Sequence, residues 1–494
     1  MKPARRATLA LATLALAFGM PSGGATAAEP AAAAGSAAAS AAAPVPTDAL
    51  RLIDLWLDAQ VRHDRVPTLS AGVVIGQDLA WSRGYGHVDS AGRVPVDADT
   101  VYSVCSISKL FTSIALMQQW EAGRVSLDDD VARHVPAMAI RRSDPDSAPI
   151  TLRSLLMHAS GLPREADASY WREGAFPSRE QLLERLRGQS TIARSYERYQ
   201  YSNLGMALLG EVVGAVAGQP TTEVVARQVL APLGMADTRA GLPLDLLGRR
   251  LPPGQGPLQR DGTRAVLPPF DTAGLQAAAG YTSTVRDLAR FAAWQLRLLQ
   301  RGGSEVLKVA TLREMQRVQW QDADGRNTWG LGFAVSRDGS QNLVSHAGLC
   351  PGYRSAWVLA PREGFAVIAM TATTGSENAP YTRPIRQLLN KGWKVAPAKD
   401  AEAMAAYVGR YDANPWNSEL VVVPWGEGLA MLSLPTGDPA GDLGVLRRVD
   451  GDRFRFVRDD GSLGTELRFE RDAQGRVSGY TLWAQRTQRL GPLR

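Results

Sequence analysis

Strand-forming stretches lie at the two ends of a long helical region in this chain, and that distribution constrains its fold more than any other feature. Residues 69–75 and 79–85 are apolar and β-branched, and Gly76-Gln77-Asp78 joins them as a hairpin. Strand patterns return at 332–336, 343–345, 355–359 and 365–371. The region between is rich in helices and loops. Residues 106–121 put Ile107, Leu110, Phe111, Ile114 and Met117 on one helix face, with a stop near Gly123. Residues 204–216, 284–299 and, after the last strand pattern, 383–389 also have helical patterns. An antiparallel sheet must then be assembled from chain-distant halves. The expected fold is α/β: such a sheet flanked by helices, plus an all-helical lobe, with a ligand crevice between the two.

The flanks differ in texture. Lys2, Arg5 and Arg6 precede an apolar run at 7–20, and Ala25-Thr26-Ala27 offers a small-x-small cleavage site. Residues 1–27 thus read as a signal peptide, which predicts a periplasmic or secreted protein without a stable membrane anchor. Its removal takes away three cations and no acid, so the formal charge of +6 falls to +3. Residues 28–46 are an Ala/Pro/Ser linker with too little bulk to pack. Order is expected near Thr47, where Thr47 or Asp48 can cap a helix carrying Leu50, Ile53, Leu57 and Val61. A domain is expected at 47–394. A linker at 395–404 leads to a region at 405–494 with short alternating runs at 421–423, 429–434, 454–457, 466–470 and 477–483. Turn residues punctuate these runs, as in a small all-β, barrel-like domain.

Several chemistries are disfavoured. The arginines are scattered, so nothing asks for nucleic acid. Five dispersed histidines and two cysteines give no metal pattern, and no cofactor motif occurs. No lysine precedes Ser or Thr, which rules out a P-loop, and no G-x-S-x-G is present.

What remains centres on one lysine. The chain has only six lysines among its 55 basic residues, and Lys109 lies three residues after Ser106. A composition that prefers arginine keeps an amine here, which can lose its proton as a guanidinium cannot. The i, i+3 spacing puts the amine within reach of the hydroxyl, as a base activating a serine nucleophile requires. Alone the pair is weak, since a shuffled chain would hold ~0.4 such pairs. Two further groups follow. Tyr201-Ser202-Asn203 opens a helix, offering a phenol for proton relay and an amide for a substrate carbonyl. His346-Ala347-Gly348 ends a predicted strand, with small residues that let substrate lie along its edge.

In this order the three segments resemble the serine β-lactamase and penicillin-binding-protein superfamily, closest to its class C β-lactamase, D,D-peptidase and esterase branch. Leu155-Leu156-Met157-His158-Ala159-Ser160-Gly161-Leu162-Pro163 and Ala279-Gly280-Tyr281-Thr282-Ser283-Thr284 add to the likeness, which covers about 48–392. It implies Ser106 as nucleophile, with Lys109 and Tyr201 sharing general-base and general-acid duty in an undecided split. It implies Asn203, His346 and Gly348 as substrate-binding residues, and the backbone N–H groups of Ser106 and Leu349 as the oxyanion hole. His158 is expected to be structural.

Two departures matter. His346 stands where most β-lactamases have lysine, so a permanent cation gives way to a group titrating near pH ~6.5. Cys105 and Cys350 flank the predicted site; a bridge or two buried thiols both stay open, since bridging needs Cα atoms within about 7 Å. The expected activity is hydrolysis of amide or ester bonds through an acyl-enzyme, of D,D-peptidase, D-aminopeptidase or esterase type. The substrate would be a small molecule or peptide, conceivably derived from the cell wall. A β-lactamase and a non-catalytic binding or sensor protein on the same fold are the alternatives.

Overall fold

Leu50, Ile53, Leu57 and Val61 recur at helical spacing, and all four are buried on one side of helix α1 (Thr47–His63). Burying each such side chain contributes about 1.5–3 kcal/mol, enough to hold the helix without a side-chain cap. The residue before the helix is Pro46, and neither Thr47 nor Asp48 serves as its cap, contrary to the expectation from sequence. In this computed structural model the described residues are 45–138, 140–167, 170–375, 381–396 and 401–493. The signal-peptide reading at 1–27, and nearly all of the first linker, lie outside them.

Strands β1 (Thr68–Ile75) and β2 (Asp78–Gly86) form the predicted hairpin. Helices α2 (Ser108–Glu121), α3 (Asn203–Ala217) and α4 (Val285–Arg301) are the long elements of the helical region. The chain then returns to the sheet. Strands β3 (Trp320–Gln321), β4 (Thr328–Trp329), β5 (Ala334–Asp338), β6 (Gln341–Cys350), β7 (Tyr353–Ala360) and β8 (Phe365–Thr371) follow, and helix α5 (Thr382–Gly392) closes the domain. The sheet order is β3-β4-β5-β6-β7-β8-β1-β2, all antiparallel, so the two halves of the chain meet where β1 pairs with β8.

Alternation along the strands divides the core. Val74, Trp357, Ile368 and Met370 join α2, α3 and α4 on one face, while Leu69, Val73, Val367 and Ala369 join α1 and α5 on the other. Gly72 is where α4 crosses: an added Cβ would sit 2.5 Å from Val285 Cγ1.

Strand β6 is longer than its sequence suggests. Its pairing with β5 stops at Ser345 opposite Ala334, yet it continues along β7 through His346↔Trp357 and Gly348↔Ser355 to Cys350↔Tyr353. His346 therefore lies within a strand rather than at its end. Residues 346–350 are paired on one side only.

The last region is a closed barrel of eight strands, β9 (Gly409–Tyr411), β10 (Glu419–Trp425), β11 (Gly428–Leu434), β12 (Gly444–Asp450), β13 (Arg453–Val457), β14 (Leu463–Arg471), β15 (Val477–Leu482) and β16 (Gln485–Gly491). Each strand pairs with the next, and β16 closes on β9. Tyr407, Tyr411, Phe454, Phe469 and Tyr480 pack together in its interior. Val421, Val423 and Trp425 share the core of α1 and α5, and Trp56 Nε1 donates to Thr436 O at 2.8 Å. The barrel is thus seated on the sheet face opposite the helical region.

Candidate active site

Ser106 lies in a single 3₁₀ turn, Cys105–Ile107, that leads directly into α2. The residue before it, Cys105, has φ +49°, a left-handed conformation that costs a non-glycine residue about 1–2 kcal/mol. Local bonds hold this geometry. Ser108 Oγ donates to Cys105 O at 2.5 Å and accepts from Tyr281 N at 3.0 Å, and Ser355 Oγ donates to Val104 O at 2.8 Å. The turn leaves Ser106 half-buried at the crevice, with its own N–H at the positive end of the helix.

One helical turn on, Lys109 is 1% exposed. Its Nζ lies 3.1 Å from Ser106 Oγ, 2.7 Å from Asn203 Oδ1 and 2.8 Å from Ala278 O. Burial drives the amine well below the ordinary lysine value; the Glu165 carboxylate opposes that shift and Arg164 reinforces it. A neutral amine has two N–H bonds and one lone pair. Asn203 Oδ1 and Ala278 O take the N–H bonds, which leaves the lone pair for the hydroxyl of Ser106.

Tyr201 stands at the start of α3, immediately before the Ser202 cap whose Oγ accepts from Gly205 N. Burial raises the Tyr201 phenol to about 12, against the lowering effects of the nearby Ser106 side chain and of Arg164, so it is a neutral donor at ordinary pH. Lys109 Nζ is 4.9 Å from the ring centre and the Arg164 guanidinium 5.1 Å. His158 packs against the ring at 4.3 Å, and its Nδ1 accepts from Ser202 N at 3.2 Å. Burial holds His158 well below its usual value. It is a neutral group fixing Tyr201.

Asn203 is buried, and its amide is engaged on both sides: Oδ1 accepts from Lys109, and Nδ2 donates to Glu165 Oε1 at 2.5 Å. The second Nδ2 hydrogen is what it retains for a substrate carbonyl. Glu165 also accepts from Tyr170 OH at 2.5 Å, and Arg164 Nε is 3.4 Å from its Oε1.

His346 lies on β6 with its ring 6.4 Å from that of Tyr201 and 5.7 Å from that of Trp329. Burial lowers it to about 3. The sequence expectation of a group titrating near neutrality is therefore corrected: His346 is neutral. With Nδ1 donating to Ala347 O at 2.8 Å, Nε2 is a buried acceptor with no protein partner. Two residues on, Gly348 lies against the nucleophile turn, where an added Cβ would be 2.2 Å from Val104 O and 3.0 Å from Cys105 Cβ. Cys105 and Cys350 are joined as a disulfide, their Cα atoms 5.8 Å apart. Ser103 Oγ lies 3.4 Å from Cys350 Sγ.

The sites read from sequence thus converge: Lys109, Tyr201, Asn203, His346, Gly348 and the cysteine pair come together around Ser106 and its turn. Glu165, Arg164 and Trp329 were not read as site residues. Glu165 directly follows the 155–163 stretch and a cation, Arg164, which is the only local hint it offers. Trp329 carries none; it gathers His158, Tyr199, Tyr201 and His346 around one indole. Among the described residues no group of three or more His, Cys, Asp or Glu side chains could hold a metal ion, and no helix is long and apolar enough to cross a membrane.

Comparison places this architecture among known proteins. The octameric penicillin-binding protein homologue from Pyrococcus abyssi superposes with a TM-score of 0.59 at 21% identity, covering 88% of this chain and 98% of that one. The D-amino acid amidase from Ochrobactrum anthropi SV3, complexed with L-phenylalanine, gives 0.58 at 21% identity over 69% of this chain and 96% of its own. The fold is therefore the β-lactamase and penicillin-binding-protein type, with a barrel appended. The family profile described as Beta-lactamase matches residues 53–391, and the chain belongs to that family. Beta-lactamase-like protein 2 of Dictyostelium discoideum is 27% identical over 320 residues, which is 63% of this chain and 57% of that relative's length.

Proposed function

We propose that this protein is an exported serine hydrolase that cleaves small esters and amides, D-aminoacyl amides among them, through an acyl-enzyme on Ser106. The observation that carries the reading is the placement of Lys109 Nζ, 3.1 Å from Ser106 Oγ with its N–H bonds directed elsewhere. The Lys109 lone pair takes the serine proton as Ser106 Oγ attacks the acyl carbon. The developing oxyanion lies between the N–H groups of Ser106 and Leu349. Tyr201, a neutral phenol near Ser106, gives its proton to the leaving alcohol or amine, and water then releases the acyl group by the reverse sequence.

Two features bear on the substrate. His346 is neutral, so β6 supplies no cation to greet a carboxylate, which favours neutral esters and amides over penicillins. Its Nε2 accepts a hydrogen bond from a substrate N–H or O–H. The solved amidase of similar fold supports the amide side of the reading by analogy of fold alone. Export rests on residues 1–27 of the sequence.

The test is a panel of p-nitrophenyl esters, D-aminoacyl amides, D-Ala-D-Ala peptides and nitrocefin, with a fluorophosphonate label and Ser106→Ala as control. Turnover of esters or amides that vanishes in Ser106→Ala supports the reading. A wild-type protein that neither turns over any member of the panel nor takes the label is a binding protein.

A further inference from the structure

We infer that the Cys105–Cys350 disulfide is a positioning clamp that sets the separation of the two oxyanion-hole donors, Ser106 N and Leu349 N. The inference rests on the acyl-enzyme reading above and concerns how its site is held together. Each bonded cysteine is the immediate neighbour of one donor: Cys105 precedes Ser106, and Cys350 follows Leu349. The link joins residues 245 apart in sequence and places their Cα atoms at 5.8 Å. Both cysteines are buried, at 0% and 3% exposure.

The fold creates a need for such a clamp on each side. On β6, pairing with β5 ends at Ser345, so residues 346–350 have a backbone partner only in β7. The unpaired edge is what a substrate would lie along, and an edge segment held from one side is free to shift. On the nucleophile side, Cys105 sits in a left-handed conformation at φ +49°, which persists only where its surroundings impose it. The disulfide ties the loosely held strand to the strained turn. Gly348, which packs against Val104 O and Cys105 Cβ without room for a side chain, shows that the two are in direct contact along this seam. Oxyanion donors act only if they lie about 2.7–3.1 Å from the developing charge, a window of a few tenths of an ångström, so a fixed spacing works on the transition state rather than on binding.

The experiment compares oxidised full-length protein, the same protein reduced with a phosphine, Cys105→Ser/Cys350→Ser, and Cys105→Gly/Cys350→Ala. The glycine variant relieves the left-handed turn and so guards against a simple failure to fold. Kinetics on p-nitrophenyl acetate are normalised to sites titrated by fluorophosphonate. The expected result is a fall in kcat per titrated site of roughly 10–100-fold, with KM within about 3-fold, in all three unlinked forms. Reoxidation of the reduced protein restores kcat. An unchanged kcat per site, with any loss confined to the number of active sites, reduces the bond to a stability element and overturns the inference. Two titratable thiols in unreduced, denatured protein overturn it as well. Oxidised wild type that is neither labelled nor active overturns the hydrolase reading itself, and the clamp with it.

Discussion

Replacing Gly348 by alanine tests the seam between β6 and the nucleophile turn with one methyl group. The added Cβ would lie 2.2 Å from Val104 O, 2.4 Å from Ser355 Oγ and 3.0 Å from Cys105 Cβ. The serine hydroxyl can rotate away, but the carbonyl oxygen is backbone, and Ser355 Oγ is bonded to it at 2.8 Å. Carbon and carbonyl oxygen need about 3.3 Å, so strand and turn must part by about 1 Å. Cys105 and Cys350 are bonded to each other on this seam, so it cannot open freely. Part of the strain then appears as lost stability, about 1–3 kcal/mol as for other overpacked sites. The rest displaces Leu349 N relative to Ser106 N, and a misplacement of about 1 Å at a reacting centre costs ~100-fold in rate. We therefore expect Gly348→Ala to remain folded, to lose ~100-fold in kcat/KM on a p-nitrophenyl ester, and to unfold at lower urea concentration. A variant within ~3-fold of wild type in kcat/KM would refute the argument, because the strand would then not be fitted to the turn.

Further outcomes follow from the same geometry. Lys109→Arg replaces the neutral amine with a guanidinium that cannot serve as a base, and should cost at least ~100-fold in kcat/KM, measured against Ser106→Ala as the floor. Glu165→Gln removes the carboxylate that favours the protonated amine of Lys109, so the acidic limb of the kcat/KM profile should move to lower pH; a fixed limb would contradict that coupling. His346 is held to about 3 against ~6.5 in the unfolded chain, and His158 is lowered too. The unfolded state therefore binds more protons as pH falls below ~6.5, and stability should drop with up to ~1.4 kcal/mol per pH unit from each histidine. Urea unfolding between pH 7 and 4 should show this slope, and His346→Leu should lose its share of it.

Much of this site is legible in the linear chain because its central contact is local. Three residues separate Ser106 from Lys109, and helix geometry alone brings the amine to the hydroxyl. The order of the three segments did the rest, including the placement of Tyr201 at the start of α3. The hairpin at 68–86 and the all-β texture of the last region were equally readable, since alternation and turn residues are local signals. The barrel still hid three of its strands, Gly409–Tyr411, Gly444–Asp450 and Gln485–Gly491: the first is only three residues long and the other two carry two arginines each among few apolar residues.

Periodicity and spacing determined the sheet built from two chain ends, the helical region between them and the proximity of Lys109 to Ser106. Burial and long-range pairing decided the remainder. His346 reads as an ordinary histidine until burial makes it neutral, because desolvation depends on what the rest of the chain places around a group. Strand β6 reads as ending at His346 until β7 pairs with it as far as Cys350, because a strand edge is specified by its partner. Glu165 reaches Asn203, and Cys105 reaches Cys350, only once segments far apart in sequence have closed on one crevice.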